Sequence, residues 1–90
     1  MEKRSKNHGV IGRNKSWLVI ERPGLGENGW INLWVSERRD DIRRADFLIG
    51  YNTRSRKFND CPAWKRLFTA YPEVGAWMVD LVQRRYGFGQ

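Results

Sequence analysis

Pro72 stands between two runs of apolar residues at helical spacing, and no comparable period precedes Phe58. Trp64, Leu67, Phe68 and Tyr71 recur at i, i+3, i+4 and i+7, which places them on one face of a helix. Val74, Trp77, Met78, Leu81 and Val82 make a second such stripe. A proline inside a helix loses a backbone hydrogen bond and clashes with the preceding turn, yet it fits the first turn of a new helix. Pro72 therefore ends one helix and begins the next. Glu73 then lies in the favoured first turn, Arg84 and Arg85 complement the far end of the dipole, and Gly87 supplies the cap. For the first helix, Asp60 is the expected N-cap and Pro62 suits the first turn. Trp64, Leu67, Trp77 and Leu81 are expected in the core.

The residues ahead of these helices read as strands. Trp17-Leu18-Val19-Ile20-Glu21-Arg22 is β-branched and aromatic and stops at Pro23-Gly24. After a connector with glycines at 24, 26 and 29, Trp30 to Ser36 resumes the pattern, and the two runs form an antiparallel hairpin. Alternation puts Trp30, Asn32 and Trp34 on one face and Ile31, Leu33 and Val35 on the other, and either could be the core. Residues 37 to 46 are charged almost throughout and read as a solvated loop or one helical turn. Phe47-Leu48-Ile49-Gly50-Tyr51 is a third strand, and residues 52 to 58 extend it as a hairpin or lead to the helices as a basic loop. The fold class expected is α+β: a three-stranded antiparallel sheet, order β-β-β-α-α, packed by two C-terminal helices.

Residues 1 to 15 have no period that could bury a face, Val10 and Ile11 being their only clearly apolar pair, so they read as a disordered basic arm before a single domain over 16 to 90. One core is all that ninety residues can build, and a chain this short buries only about 60 to 65% of the surface its unfolded form exposes. Five Trp, four Phe and three Tyr supply the large side chains such a core requires. Cys61 is the only cysteine, so no intrachain disulfide or multi-thiolate metal site can form, and the residue reads as buried filler in a reducing cytoplasm. No long apolar stretch follows the charged N-terminus, so neither a signal peptide nor a membrane partner is expected.

The net charge is +7 and it is unevenly spread. Lys3, Arg4, Lys6, Arg13 and Lys15 face only Glu2 in the first 15 residues. Between Glu37 and Lys57 stand Arg38, Arg39, Arg43, Arg44, Arg54, Arg56 and Lys57 against four acids. Lys and Arg neutralise phosphates and release counterions, and a planar guanidinium can grip phosphate bidentately or stack on a base. These twelve residues are the expected nucleic-acid-binding set, with duplex DNA ahead of RNA, and Arg38, Arg39, Arg43 and Arg44 are expected to contact phosphates without stabilising the fold. Trp30, Trp34, Phe47 and Tyr51 would make a stacking platform flanked by Arg54 and Arg56 if their face were uncovered. The expectation is that these rings are core, because two amphipathic helices must cover some face.

Catalytic patterns are absent. His8, the only histidine, sits in the arm without a partner at hydrogen-bond reach. The glycine-rich connector lacks the Lys-Ser/Thr of a P-loop and leads into a strand instead of a helix. Asp40 and Asp41 are surrounded by arginines, where local pairing explains them better than a cation site needing several converging oxygens. The chain is thus read as non-enzymatic, with no cofactor and no metal. The alternative to nucleic acid is a protein-binding inhibitor or regulator that docks its basic face on an acidic or nucleic-acid-processing protein, since interface hot spots also favour Trp, Tyr and Arg.

Overall fold

The alternation in β3 (Trp30–Glu37) sorts the whole sheet into two faces, and the helices choose between them. The computed structural model describes residues 9–23, 28–39 and 44–87. Within them β1 (Val10–Arg13), β2 (Trp17–Pro23), β3, β4 (Phe47–Asn52) and β5 (Lys57–Phe58) form one antiparallel sheet in chain order, followed by α1 (Pro62–Ala70) and α2 (Pro72–Tyr86). The architecture is α+β with two C-terminal helices, as the sequence indicates.

The sheet has five strands, not three. The first addition comes from the expected arm: Val10–Arg13 pairs with β2, with an irregularity between Val10 and Gly12, and the Glu21 amide donates to the Gly9 carbonyl. Four residues with two apolar side chains carry no readable period, but the outer edge of β2 offers a row of backbone groups that such a strand satisfies. Gly12 permits the close approach, because a Cβ there would lie 2.1 Å from Cδ1 of Leu81 on α2. Residues 1 to 8 of the arm lie outside the described residues. The second addition is β5, made possible by Asn52, whose Oδ1 accepts from the amides of Arg54 and Ser55 at 2.9 Å each and closes the turn. Residues 52 to 58 are thus the hairpin extension and not a loop.

Two helix boundaries also differ. Cys61, not Asp60, is the N-cap of α1, with φ −111° and ψ 169° and no side-chain cap bond. Pro62 imposes this: the residue before a proline is forced extended, so the helix cannot begin earlier than the proline itself. Tyr71, read as the last member of the first stripe, stands between the helices as the N-cap of α2. Its amide donates to the Leu67 carbonyl at 2.7 Å, while its own carbonyl accepts from Val74 and Gly75. Cys61 is half-buried and unpaired with any thiol.

On the covered face Trp17, Val19, Leu33, Val35, Ile49 and Tyr51 meet Leu67 of α1 and Met78 and Val82 of α2. Ile31, Leu33 and Val35 therefore point to the helices. Leu67 is fully buried, whereas Trp64, Trp77 and Leu81 are half-buried around it. The rings of Phe58, Trp64 and Phe68 follow one another at centroid distances of 4.9 and 4.6 Å, joining β5 to α1. The helices approach closely at Gly75, where a Cβ would sit 2.7 Å from the Phe68 ring. An ion pair from Arg85 to Glu21, 2.8 Å, ties the end of α2 to β2.

The opposite face carries Val10 and Arg13 of β1, Leu18, Ile20 and Arg22 of β2, Trp30, Asn32, Trp34 and Ser36 of β3, and Leu48, Gly50 and Asn52 of β4, with Ser36 and Asn52 buried at the strand ends. Among the described residues no helix covers it. The expectation that the aromatics are core therefore holds for Phe47 and Tyr51 and fails for Trp30 and Trp34. Two helices of 9 and 15 residues can cover one face of a sheet but not both.

Candidate nucleic-acid interface

The basic residues sit where strands begin and end. β2 starts opposite the end of β3 (Trp17 against Glu37), and β4 starts opposite Val35, so residues 13 to 16, 38 to 39 and 44 to 46 share one end of the sheet. Arg13, Lys15, Arg38, Arg39 and Arg44 are all exposed there. Local polar chemistry shapes this end. Asn14 Oδ1 accepts from the amides of Ser16 and Trp17 at 2.9 and 2.7 Å, an Asx-type turn that folds β1 back onto β2. Arg38 is anchored to that turn: its amide donates to the Ser16 carbonyl at 2.9 Å and its guanidinium to the Asn14 carbonyl at 3.0 Å.

Asp46 closes the same end from the other side, accepting from the Glu37 amide and from the Arg39 guanidinium, both at 2.9 Å. Partial burial pushes its carboxyl up, but the bonds from Arg39 and Glu37 and the charges of Arg39 and Arg44 outweigh burial and hold it below the ordinary Asp value. Arg39 is raised in turn, chiefly by the same bond. Arg39 is thus matched by an acid, and Arg38 works partly as a structural donor. Arg13 and Lys15 make no ion pair among the described residues.

Arg54, Arg56 and Lys57 lie at the other end, in the turn between β4 and β5 and its exit. Arg56 adopts φ 60°. That left-handed backbone costs a side-chain-bearing residue roughly 1–2 kcal/mol, and turns usually fill it with glycine or asparagine. The five residue steps of β4 separate the two ends by about 17 Å. The segment from Arg38 to Lys57, continuous in sequence, is therefore divided into two basic ends of one sheet. Lys3, Arg4, Lys6 and Arg43 lie outside the described residues, as does His8.

Between the ends runs the uncovered face. Ile20, Trp34 and Leu48 align across β2, β3 and β4, and the next row along is Arg22, Asn32 and Gly50. The Arg22 guanidinium lies over the Trp34 ring, 4.7 Å from its centroid. Trp30 is 41% exposed and Leu48 49%. A groove of about 450 Å³ opens beside them, lined by Trp30, Ile31, Asn32, Leu48, Gly50, Asn59 and Cys61. Arg22, Trp30, Asn32 and Asn59 belong to no basic run, so charge counting along the chain passes over them. The signal for Arg22 is strand alternation, which sets it on the face of Leu18 and Ile20.

A second groove, about 630 Å³, lies between the β1–β2 turn and the α1–α2 junction, where Lys15 and the Trp17 and Tyr71 rings meet Glu73. Its acid interrupts the positive surface. Among the described residues no group of three His, Cys, Asp or Glu side chains is placed to hold a metal ion, and no helix is long and apolar enough to cross a membrane. No protein-family model, no curated protein and no solved structure matches the chain.

Proposed function

We propose that this chain is a small nucleic-acid-binding module that acts by binding and not by catalysis. The observation that carries the reading is the gathering of Arg13, Lys15, Arg38 and Arg44, from three separate stretches of sequence, at one end of the sheet. Folding brings these cations together although each could have been solvated alone, and a focused positive surface attracts polyphosphate. Arg54, Arg56 and Lys57 extend the contact to the far end, and Arg22 lies on the face between.

The test is titration of labelled DNA and RNA at two salt concentrations, with the wild type and an Arg13/Lys15/Arg44→Ala variant. Arg38 is left intact because it holds the Asn14 turn. Binding should weaken steeply with salt, and the variant's logarithmic salt slope should be shallower by about 2 to 3, near 0.7 to 0.9 for each phosphate no longer neutralised. Absence of binding at low salt defeats the reading. It would favour the second one, a module docking on another protein, for which the exposed Val10, Trp30 and Leu48 are the supporting observation.

A further inference from the structure

We infer that the uncovered sheet face takes a single-stranded segment of nucleic acid, with one base stacked on Trp30 in the groove floored by Gly50. The inference rests on the nucleic-acid reading above and names the form of its ligand. Duplex DNA, the form expected from the sequence, needs only phosphate contacts; an accessible ring beside unused amides asks for an unpaired base.

Charge on this face selects the occupant. The strands contain two acids, Glu21 and Glu37, and alternation sets both on the helix-covered side. The uncovered side has Arg13 and Arg22 and no acid from any strand. An apolar face meant for a second copy or for a protein helix has no need of that sorting, whereas a polyanion lying across it does. Both ends of the face are basic as well, so a chain crossing it leaves phosphates near Arg13 and Lys15 on one side and near Arg54, Arg56 and Lys57 on the other.

The groove fits a base. Its wall is the Trp30 ring, and its floor is Gly50, where a Cβ would stand 3.6 Å from that ring and 3.4 Å from Cβ of Asn59. Glycine there leaves the space that any other residue would fill. Asn32 and Asn59 line the same groove, and among the described residues neither side-chain amide has a hydrogen-bond partner. An amide offers both donor and acceptor to a base edge, and every base has a face that stacks on indole. Arg22 on Trp34 adds a planar cation that can continue the stack.

The experiment compares a labelled single-stranded oligonucleotide with the duplex of the same sequence, for the wild type, Trp30→Ala, Trp30→Phe and Gly50→Ala, each checked by thermal melting. The expected result is preference for the single strand. Trp30→Ala should weaken it about 5- to 150-fold, the worth of one stacked base, with an unchanged salt slope because Trp30 touches no phosphate. Trp30→Phe should recover part of that affinity, and Gly50→Ala should weaken binding without a change in melting temperature. Equal binding of both forms with no effect of Trp30→Ala overturns this inference while leaving the nucleic-acid reading standing. No binding of either form at low salt removes both. A wild type that is dimeric and a Trp30→Ala protein that is monomeric would assign the face to a second copy of the chain, overturning it as well.

Discussion

The two faces of this sheet are made from alternate residues of the same strands, yet they are finished differently. On one, Val19, Leu33, Val35 and Ile49 are fully buried against α1 and α2. On the other, Leu18, Ile20 and Trp34 are half-buried among neighbours, while Val10, Trp30 and Leu48 stay more than two-fifths exposed. Full burial of a leucine contributes about 1.5–3 kcal/mol, so a small domain that leaves large apolar groups in water forgoes stability it could have used. The covered face supplies the stability; among the described residues the other leaves part of its apolar surface exposed.

Leu33→Ala against Leu48→Ala is the sharpest way to break that comparison, because the two leucines lie on adjacent strands facing opposite ways. Leu33 is fully buried, and its truncation should cost about 2–5 kcal/mol, enough to unfold much of the population of a domain this size. Leu48→Ala should cost under about 1 kcal/mol, as expected for a position half in water. Chemical denaturation with matched m-values measures both. Equal costs would mean that the second face is itself a core, closed by something beyond the described residues.

A smaller effect separates the faces by what an added methyl meets. At Gly75 a Cβ would come within 2.7–2.9 Å of three atoms of the Phe68 ring, a rigid group wedged between the helices. Gly75→Ala gains roughly 1 kcal/mol of helix propensity but overpacks a tight contact at about 1–3 kcal/mol, leaving a net cost near 1 kcal/mol. At Gly50 the nearest atoms are 3.4 and 3.6 Å away, ordinary contact distances, so Gly50→Ala should stay within about 0.5 kcal/mol of wild type. If Gly75→Ala stabilises the protein, the helix pair is looser than its geometry implies.

What the sequence disclosed follows from which signals are periodic. The helix stripes, the Pro72 joint and the alternation of β3 repeat often enough to be read, and they predict the α+β class, both helices and the central hairpin. β1 is invisible because Val10 and Ile11 make a strand only when β2 offers an edge, a condition met by tertiary pairing alone. β5 depends on the side chain of Asn52 reaching two amides, which no propensity of Lys57 and Phe58 announces. Which face of β3 is core is undecidable locally, since Trp30 and Trp34 are as apolar as Leu33 and Val35. The candidate site suffers most, because proximity along the chain stood in for proximity in space. β4 carries Arg44 and Arg54 to opposite ends, while Arg22, in a stretch with more acid than base, arrives on the face between them.

The ends of the sheet belong to neither face and should respond least, through Asp46. Its carboxylate holds the Glu37 amide and the Arg39 guanidinium, and its pKa in the folded chain lies below the ordinary value of about 3.9. A depressed carboxyl stabilises the fold fully above its unfolded pKa and loses that contribution as pH falls through the folded one. Asp46→Asn removes the titration but keeps an oxygen that can accept from Glu37. Compared by thermal melting, the variant should therefore show a small deficit at neutral pH that shrinks toward zero on acidification below the ordinary carboxylate range. The other carboxylates titrate alike in both proteins and cancel. A deficit that stays constant with pH would mean that Asp46 acts through shape alone. The same variant tests whether this end faces nucleic acid. Without the Asp46 charge the Arg39 guanidinium is released from its ion pair, so at neutral pH affinity should rise and the salt slope should steepen by up to about 0.7–0.9, the equivalent of one more phosphate neutralised. A small drop in stability together with tighter binding identifies a surface shaped for its ligand; a drop in both would make Arg39 a strut.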